Sequence, residues 1–187
     1  IMKYIFKILI VIFIIGMANI QLVYAEETVA GFDASKLKEL ELEDIVNIKL
    51  SNLESKREQL LKENGLDSGF TDEEIEILER ITEAEAESEG LIGKILVVNV
   101  IMNRLKDDRF ENSVKDIVFA KKQFQPIRDG RYKKVTVTNE TKYAVSLVID
   151  FDFSISDEIL FFHALKSKGF SNYTKLFTYK GHVFYTY

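Results

Sequence analysis

Between Leu91 and Lys106 almost every position is apolar, including Ile95, Leu96, Val97, Val98, Val100, Ile101 and Met102. A run of that length without a polar stripe predicts a helix buried nearly all round. Ahead of it, Thr71-Asp72-Glu73-Glu74 has the form of a capping box, with Thr71 as N-cap and Glu74 three residues on. A helix is therefore expected from about Asp72 to Glu89, with Gly90 and Gly93 flanking the next turn. A short helix is expected over Ser113 to Ala120, loop and short strand over 121 to 137, and a helix from Asn139 to Ile149. The end of the chain reads as strand: Ile159 to His163, Leu176 to Tyr179, a turn at Lys180-Gly181, then His182 to Tyr187. Helices come first and strands last, so the expected class is α+β with a small C-terminal antiparallel sheet.

The 26–70 stretch is polar and charged, with Leu37, Leu40, Ile45, Ile48, Leu53 and Leu60 at loose helical spacing that sustains no heptad. It reads as a helical spacer or docking arm able to engage a protein partner, broken by Gly65 and Asp67-Ser68-Gly69. Residues 1–25 have the layout of a secretory signal peptide: Lys3 and Lys7, an apolar run from Ile8 to Met17, and Val23-Tyr24-Ala25 before Glu26. The rival is an uncleaved anchor, for which the apolar core is short. Export across the cytoplasmic membrane is the expectation, with the membrane involved only through this segment. The expected division is thus 1–25, 26–70 and a domain over 71–187.

Charge and composition narrow the chemistry. Without residues 1–25 the chain has 23 basic and 30 acidic residues, a net −7 that argues against nucleic acid as a partner. No cysteine is present, which rules out disulfides, thiolate zinc sites and a cysteine nucleophile. Two histidines, His163 and His182, cannot build a three-histidine metal centre, so no metal or cofactor is expected.

The stretch ITEAEAESEG, Ile81 to Gly90, carries glutamates at 83, 85, 87 and 89. With Ile75 as zero and about 100° per residue, Leu78, Ile81 and Thr82 fall at about 240–340°. Glu85 and Glu89 fall at about 280° and 320°, inside that apolar sector. Glu73, Glu76, Glu79, Glu83 and Glu87 fall at about 40–160°, a face expected to meet solvent. A carboxylate among apolar groups has a raised pKa, as a proton-donating catalyst near neutral pH requires. Cleavage of a glycosidic bond needs such an acid. The alternative is that the helix frays after Ala86 and leaves Glu85 and Glu89 near solvent.

Several blocks resemble the spore cortex-lytic and cell wall hydrolases of the SleB/CwlJ type. Arg80, Glu85-Ala86, Glu89 and Gly93 match the R-x4-E-A-R-G-E-x3-G block, and Asn103-Arg104 a following N-R. Gln123-Phe124 matches a later Q-F, and His182-Val183-Phe184-Tyr185 an H-x-F-Y. Glu87, Ser88, Gly90, Lys94 and Lys180 depart from the family pattern, Ser88 and Lys94 bearing on substrate preference. The resemblance implies a lysozyme-like domain acting on peptidoglycan glycan strands, as a lytic transglycosylase or muramidase, in the cell wall or spore cortex. It makes Glu85 the acid/base and Glu89 a second carboxylate keeping Glu85 protonated. Gln123, Phe124, His182 and Tyr185 become candidates for substrate binding, although core packing or loop anchoring also accounts for such residues. Arg104 fits a role holding a carboxylate or carbonyls. Two other functions compete. An N-acetylmuramoyl-L-alanine amidase generally needs zinc, against which the paucity of ligands argues; a non-catalytic wall-binding or spore-assembly protein fits the eroded central block.

Overall fold

The computed structural model describes residues 41–53 and 68–187. The expected signal segment, and the parts of the expected spacer at 26–40 and 54–67, lie outside the described residues. The described residues all fall within one compact unit.

Helix α1 (Asp72–Ala86) starts at the expected capping box: the Thr71 side chain accepts from the Glu74 N–H, and the Glu74 carboxylate accepts from the Thr71 N–H. It ends three residues before the expected Glu89. Gly90 takes φ +69°, open to glycine at little steric cost, and there the chain turns into α2 (Gly90–Leu105) with Glu89 as its N-cap. Helix α2 is the buried centre of the domain, packed against α1 and against α6 (Asn139–Phe151). Helix α3 (Val114–Phe119) is capped by Ser113 and covers both α1 and α2. Where loop and short strand were expected, the structure has two short helices, α4 (Gln125–Asp129) and α5 (Arg131–Lys134). Pro126 sits at the start of α4, where its missing N–H costs nothing, and Gly130 at φ +81° ends one helix and begins the other.

The sheet has the order β1-β3-β2, all antiparallel: β1 (Phe161–Ala164), β2 (Thr174–Tyr179) and β3 (His182–Thr186). Strand alternation gives it two unlike faces. Phe162 and Phe184 join the main helical core, whereas Phe161, Val183 and Tyr185 form a second small core with Leu160 on the other side. This α+β arrangement agrees with the expected class.

Two polar side chains of α2, one turn apart, bind the irregular 153–160 segment into place. Asn99 bonds the Phe153 carbonyl and the Ile155 N–H, and Asn103 donates to the Ser156 and Ile159 carbonyls. Backbone groups without a ladder partner need such partners when buried. Of the expected helical spacer or docking arm, residues 41–53 are helical and lie against the domain. Val46 is wholly buried in the main core, Lys49 Nζ donates to the Ser154 carbonyl, and the Tyr179 hydroxyl donates to Glu43. Its apolar side gains more by covering the domain than by facing water.

Candidate active site

The glutamates at the end of α1 do not sort as the helical wheel suggests. Glu83, expected in solvent, is only 2 % exposed. Its Oε2 accepts from the Thr138 N–H at 2.9 Å, the Thr138 hydroxyl at 2.8 Å and the Thr141 hydroxyl at 2.5 Å, and Lys94 Nζ lies 3.8 Å from Oε1. The wheel assumed one apolar partner for α1, but the N-terminus of α6 covers this flank as well. Burial by itself raises the Glu83 carboxyl; the Thr141 and Thr138 hydrogen bonds and the charge on Lys94 outweigh it and hold the group below the ordinary glutamate value. Lys94 also pairs with Glu140 at 2.9 Å and is itself almost fully buried, so it belongs to the core rather than to a substrate surface. A lone lysine in the otherwise apolar first half of α2 was the sequence signal for a buried acid opposite it.

Glu85 lies on the other flank, partly buried and poorly provided with donors. Burial pushes its carboxyl up to about 7. Arg131 opposes that rise, Asp129 adds to it, and a hydrogen bond from the Gln125 N–H, at the start of α4, lowers it. Helix α1 therefore does end at Ala86, as the fraying alternative had it, yet Glu85 is not left in water because α4 and α5 fold against the helix end. Arg131 is central here. Its Nη1 donates to the Ala84 carbonyl at 2.6 Å and its Nε to Asp129 at 3.0 Å. The last turn of α1 has no basic residue of its own, so Arg131 supplies the cation that a helix C-terminus favours. Nothing in the sequence pattern singled out Arg131, Asp129 or Gln125; the Pro126 and Gly130 helix signals could have placed them near one another.

Glu89 is held by groups other than those around Glu85. The groups that shift Glu85 are Arg131, Asp129 and Gln125, so the like charge beside the catalyst candidate is Asp129 and not Glu89. The break after Ala86 takes Glu89 out of register with Glu85, because the one-turn spacing holds only within a continuous helix. Glu89 is buried, its Oε2 accepts from the Gly181 N–H at 2.9 Å, and its own carbonyl accepts from Lys180 Nζ at 3.1 Å. It fastens the β2–β3 turn to the α1–α2 junction. Two glycines make room for it: a Cβ on Gly93 would stand 2.3 Å from Glu89 Cβ, and one on Gly181 2.4 Å from Glu89 Oε1.

Gln123 and Phe124 lead directly into the Glu85 contact at Gln125. Phe124 is buried and reaches Phe162, with ring centroids 6.2 Å apart, which makes it an anchor of the loop. Gln123 is exposed, its Oε1 held by Arg104 Nη1 at 3.2 Å. Arg104 thus ties two of the matched blocks together; it also donates to the Leu160 carbonyl at 2.7 Å and stands over the rings of Phe110, Phe124 and Phe161. Burial pulls the guanidinium down to about 10, still protonated at neutral pH.

His182 and Tyr185 are not brought together. They project from opposite faces of β3. His182 is buried against Phe162 on the helical side, its Nδ1 without a hydrogen-bond partner among the described residues, and burial holds it below the usual histidine value while Glu89 opposes that and His163 adds to it. Tyr185 is buried on the outer side, its hydroxyl 2.8 Å from His163 Nε2, so it is remote from a surface shared with His182. An open groove of about 950 Å³ lies at the C-terminal end of α2 and is lined by Asp107, Asp108, Asp152, Asp157 and Glu158 among others. None of the candidate residues lines it. Asp107 there is held low, at about 2, by the Arg109 side chain, the opposite of what a proton donor needs.

Residues 88–185 match the family model for Cell Wall Hydrolase. Glu85 stands just before that match, so its candidacy rests on its surroundings. A spore cortex-lytic enzyme of Halalkalibacterium halodurans is 29 % identical over 70 residues, 37 % of this chain and 21 % of that protein. The spore cortex-lytic enzyme of Bacillus subtilis is 33 % identical over 63 residues, 34 % of this chain and 21 % of that one. The matched stretch spans about a fifth of the length of these curated relatives. Among solved structures, the catalytic domain of the germination-specific lytic transglycosylase SleB from Bacillus anthracis superposes with TM-score 0.57 at 20 % identity, covering 65 % of this chain and all of that one. The catalytic domain of Bacillus cereus SleB gives the same score and identity over 66 % of this chain and 97 % of that one. At this identity the likeness is one of fold.

Proposed function

Since the chain belongs to the Cell Wall Hydrolase family, we propose that it cleaves peptidoglycan glycan strands between muramic acid and glucosamine, as a lytic transglycosylase with Glu85 as acid and base. The observation that carries this reading is a partly buried carboxyl pushed up to about 7, able to be protonated and ionised in turn near neutral pH. In the first step the bond between muramic acid C1 and the glycosidic oxygen breaks, and that oxygen takes the Glu85 proton. In the second the muramic acid C6 oxygen bonds to C1, closing the 1,6-anhydro ring, and its proton returns to Glu85. No water is consumed. If water attacked C1 in place of the C6 hydroxyl, the same carboxyl would activate it and the outcome would be hydrolysis.

Around Glu85, the hydrogen bond from the Gln125 N–H and the charge on Arg131 stabilise the carboxylate left after proton donation. Gln123, exposed beside the anchored Phe124, is the side chain of that loop best placed to reach an N-acetyl or hydroxyl group. Action in the cell wall or spore cortex, after export, completes the proposal.

The test is digestion of purified cortex and vegetative peptidoglycan, with muropeptides analysed by mass spectrometry. Anhydro ends that disappear with Glu85→Gln are expected. Reducing ends would replace the transglycosylase with a hydrolase, free stem peptides would point to an amidase, and no product from either wall would overturn an enzymatic reading.

A further inference from the structure

Strands β1 and β2 both pair with β3, so the connection between them must cross it, and with the helical core on the inner side it crosses on the outer one. The approach is close: a Cβ on Gly169 would lie 3.1 Å from the Tyr185 hydroxyl and 3.3 Å from His163 Nε2. The crossing lays a second layer of rings over the small outer core. Tyr173 stacks on Phe161, centroids 4.0 Å apart and planes within 5°. Phe170 and Tyr187 flank Tyr173 edge to face at 5.3 and 5.5 Å, and they are 40 % and 49 % exposed.

The charge on this part of the chain is equally distinctive. Residues 159–187 contain four lysines and no acid, whereas the preceding 158 residues hold 21 basic and 30 acidic side chains. Lys166, Lys168 and Lys175 are exposed, on the crossing and on β2, and form no ion pair among the described residues. Arg109 lies over the Tyr187 ring at 3.8 Å.

We propose that this outer sheet face is a second, non-catalytic contact for a polyanionic glycan, namely peptidoglycan bearing the free carboxylates of its stem peptides. Phe170, Tyr173 and Tyr187 offer flat apolar surface to sugar rings, and Lys166, Lys168 and Lys175 meet the carboxylates. The choice of polymer rests on the function proposed above; the site itself lies on the sheet face away from the main helical core, whereas Glu85 is on α1 with Arg131, Asp129 and Gln125 around it. The acidic groove that includes Thr186, Asp157 and Glu158 borders the patch on one side, so an anionic strand would run along the crossing and β2. Such a contact would keep the protein on an insoluble wall between cleavages.

The experiment is co-sedimentation of the full chain carrying Glu85→Gln, which spares the wall, with purified insoluble peptidoglycan at low and high salt. Two sets are compared in that background, Phe170→Ala with Tyr187→Ala, and Lys166→Gln with Lys168→Gln and Lys175→Gln. Each is expected to weaken binding about tenfold or more, the lysine set losing most of its effect at high salt. With Glu85 restored, both sets should cleave short soluble glycan fragments within about twofold of the parent rate. The lysine set removes no packing, so its result stands even if the aromatic set is unstable. Unchanged sedimentation in both sets overturns the proposal, as does a parent that pellets with anionic phospholipid vesicles and not with wall. Cleavage that survives Glu85→Gln would overturn the catalytic reading while leaving the binding result to be judged by itself.

Discussion

Glu83 and Glu85 stand two residues apart near the end of one helix, both taken out of bulk water, and their surroundings push them in opposite directions. Glu83 receives three hydrogen bonds and a lysine and is held low; Glu85 receives one N–H and a more distant arginine and is pushed up. Burial is therefore not what makes a carboxyl reactive. What decides is how many donors come with it. Glu83 spends its charge on joining α1 to α6, and Glu85 keeps its proton for use.

The largest expected effect comes from removing the reactive member. Glu85→Gln should reduce glycan cleavage by about 10³-fold or more, measured as muropeptide release. It should also make the fold more stable at pH 8, by about 1–3 kcal/mol, since a carboxyl raised to about 7 costs stability wherever it is ionised. The sign follows from the direction of the shift. The stabilising protonated state is full below the unfolded value near 4.5 and lost as pH rises through about 7, so the gain should vanish in urea melts below pH 4.5.

Next in size is the structural member. Glu83→Ala should cost about 3–5 kcal/mol, because it takes the acceptor from the Thr138 N–H and the Thr138 and Thr141 hydroxyls and leaves the buried Lys94 with Glu140 as its remaining carboxylate. Here the sign reverses. A carboxyl held below 4.5 contributes stability that is full above that pH and is lost as pH falls through its folded value, so wild type and variant should converge in acid. Pairing Glu83→Gln with Lys94→Met should recover much of the loss, which denaturant melts would show. If Glu83→Ala abolished cleavage in a fully folded sample, the division between the two carboxyls would fail.

Much of this was legible in the sequence. The capping box at Thr71, the buried α2, the order of helices before strands and the Lys180-Gly181 turn follow from local pattern alone, since each depends on residues close in the chain. The faces of α1 were not legible, because whether Glu83 meets water depends on α6, more than fifty residues away. The wheel places Glu85 correctly on the inner side but cannot see that the helix stops at Ala86, which is what separates it from Glu89. Tyr185 shows the same limit. Alternation puts it opposite His182, yet its environment depends on a crossing connection that no pattern within β3 reveals.

Glu89 offers a smaller test. Gly181→Ala should drive its new methyl against Glu89 Oε1 and loosen the turn from the helix junction, costing about 1–3 kcal/mol in thermal melts. With burial, Arg131, Asp129 and Gln125 as the influences on Glu85, the pH dependence of cleavage should keep its midpoint in Glu89→Gln, whatever happens to the rate. A midpoint that moved would put Glu89 back beside the catalyst.

The smallest effect probes the comparison most directly, because it alters the balance around Glu85 without touching Glu85. Arg131 lowers that carboxyl and Asp129 raises it, so the two variants should shift the alkaline limb of the pH–rate profile in opposite directions. With Arg131→Gln the acid keeps its proton to higher pH and the midpoint should rise by roughly 0.5; with Asp129→Asn it should fall by a similar amount. Arg131 also caps α1 through the Ala84 carbonyl, so its loss lowers stability whether or not it tunes the acid. Stability thus cannot discriminate, but the midpoint can, and so can salt. Arg131 is about half exposed, so raising ionic strength should shrink both shifts while leaving the Glu83 stability difference nearly intact, since that pair is enclosed. A donor-rich site and a donor-poor one should respond differently to the same salt, as their burial and partners require.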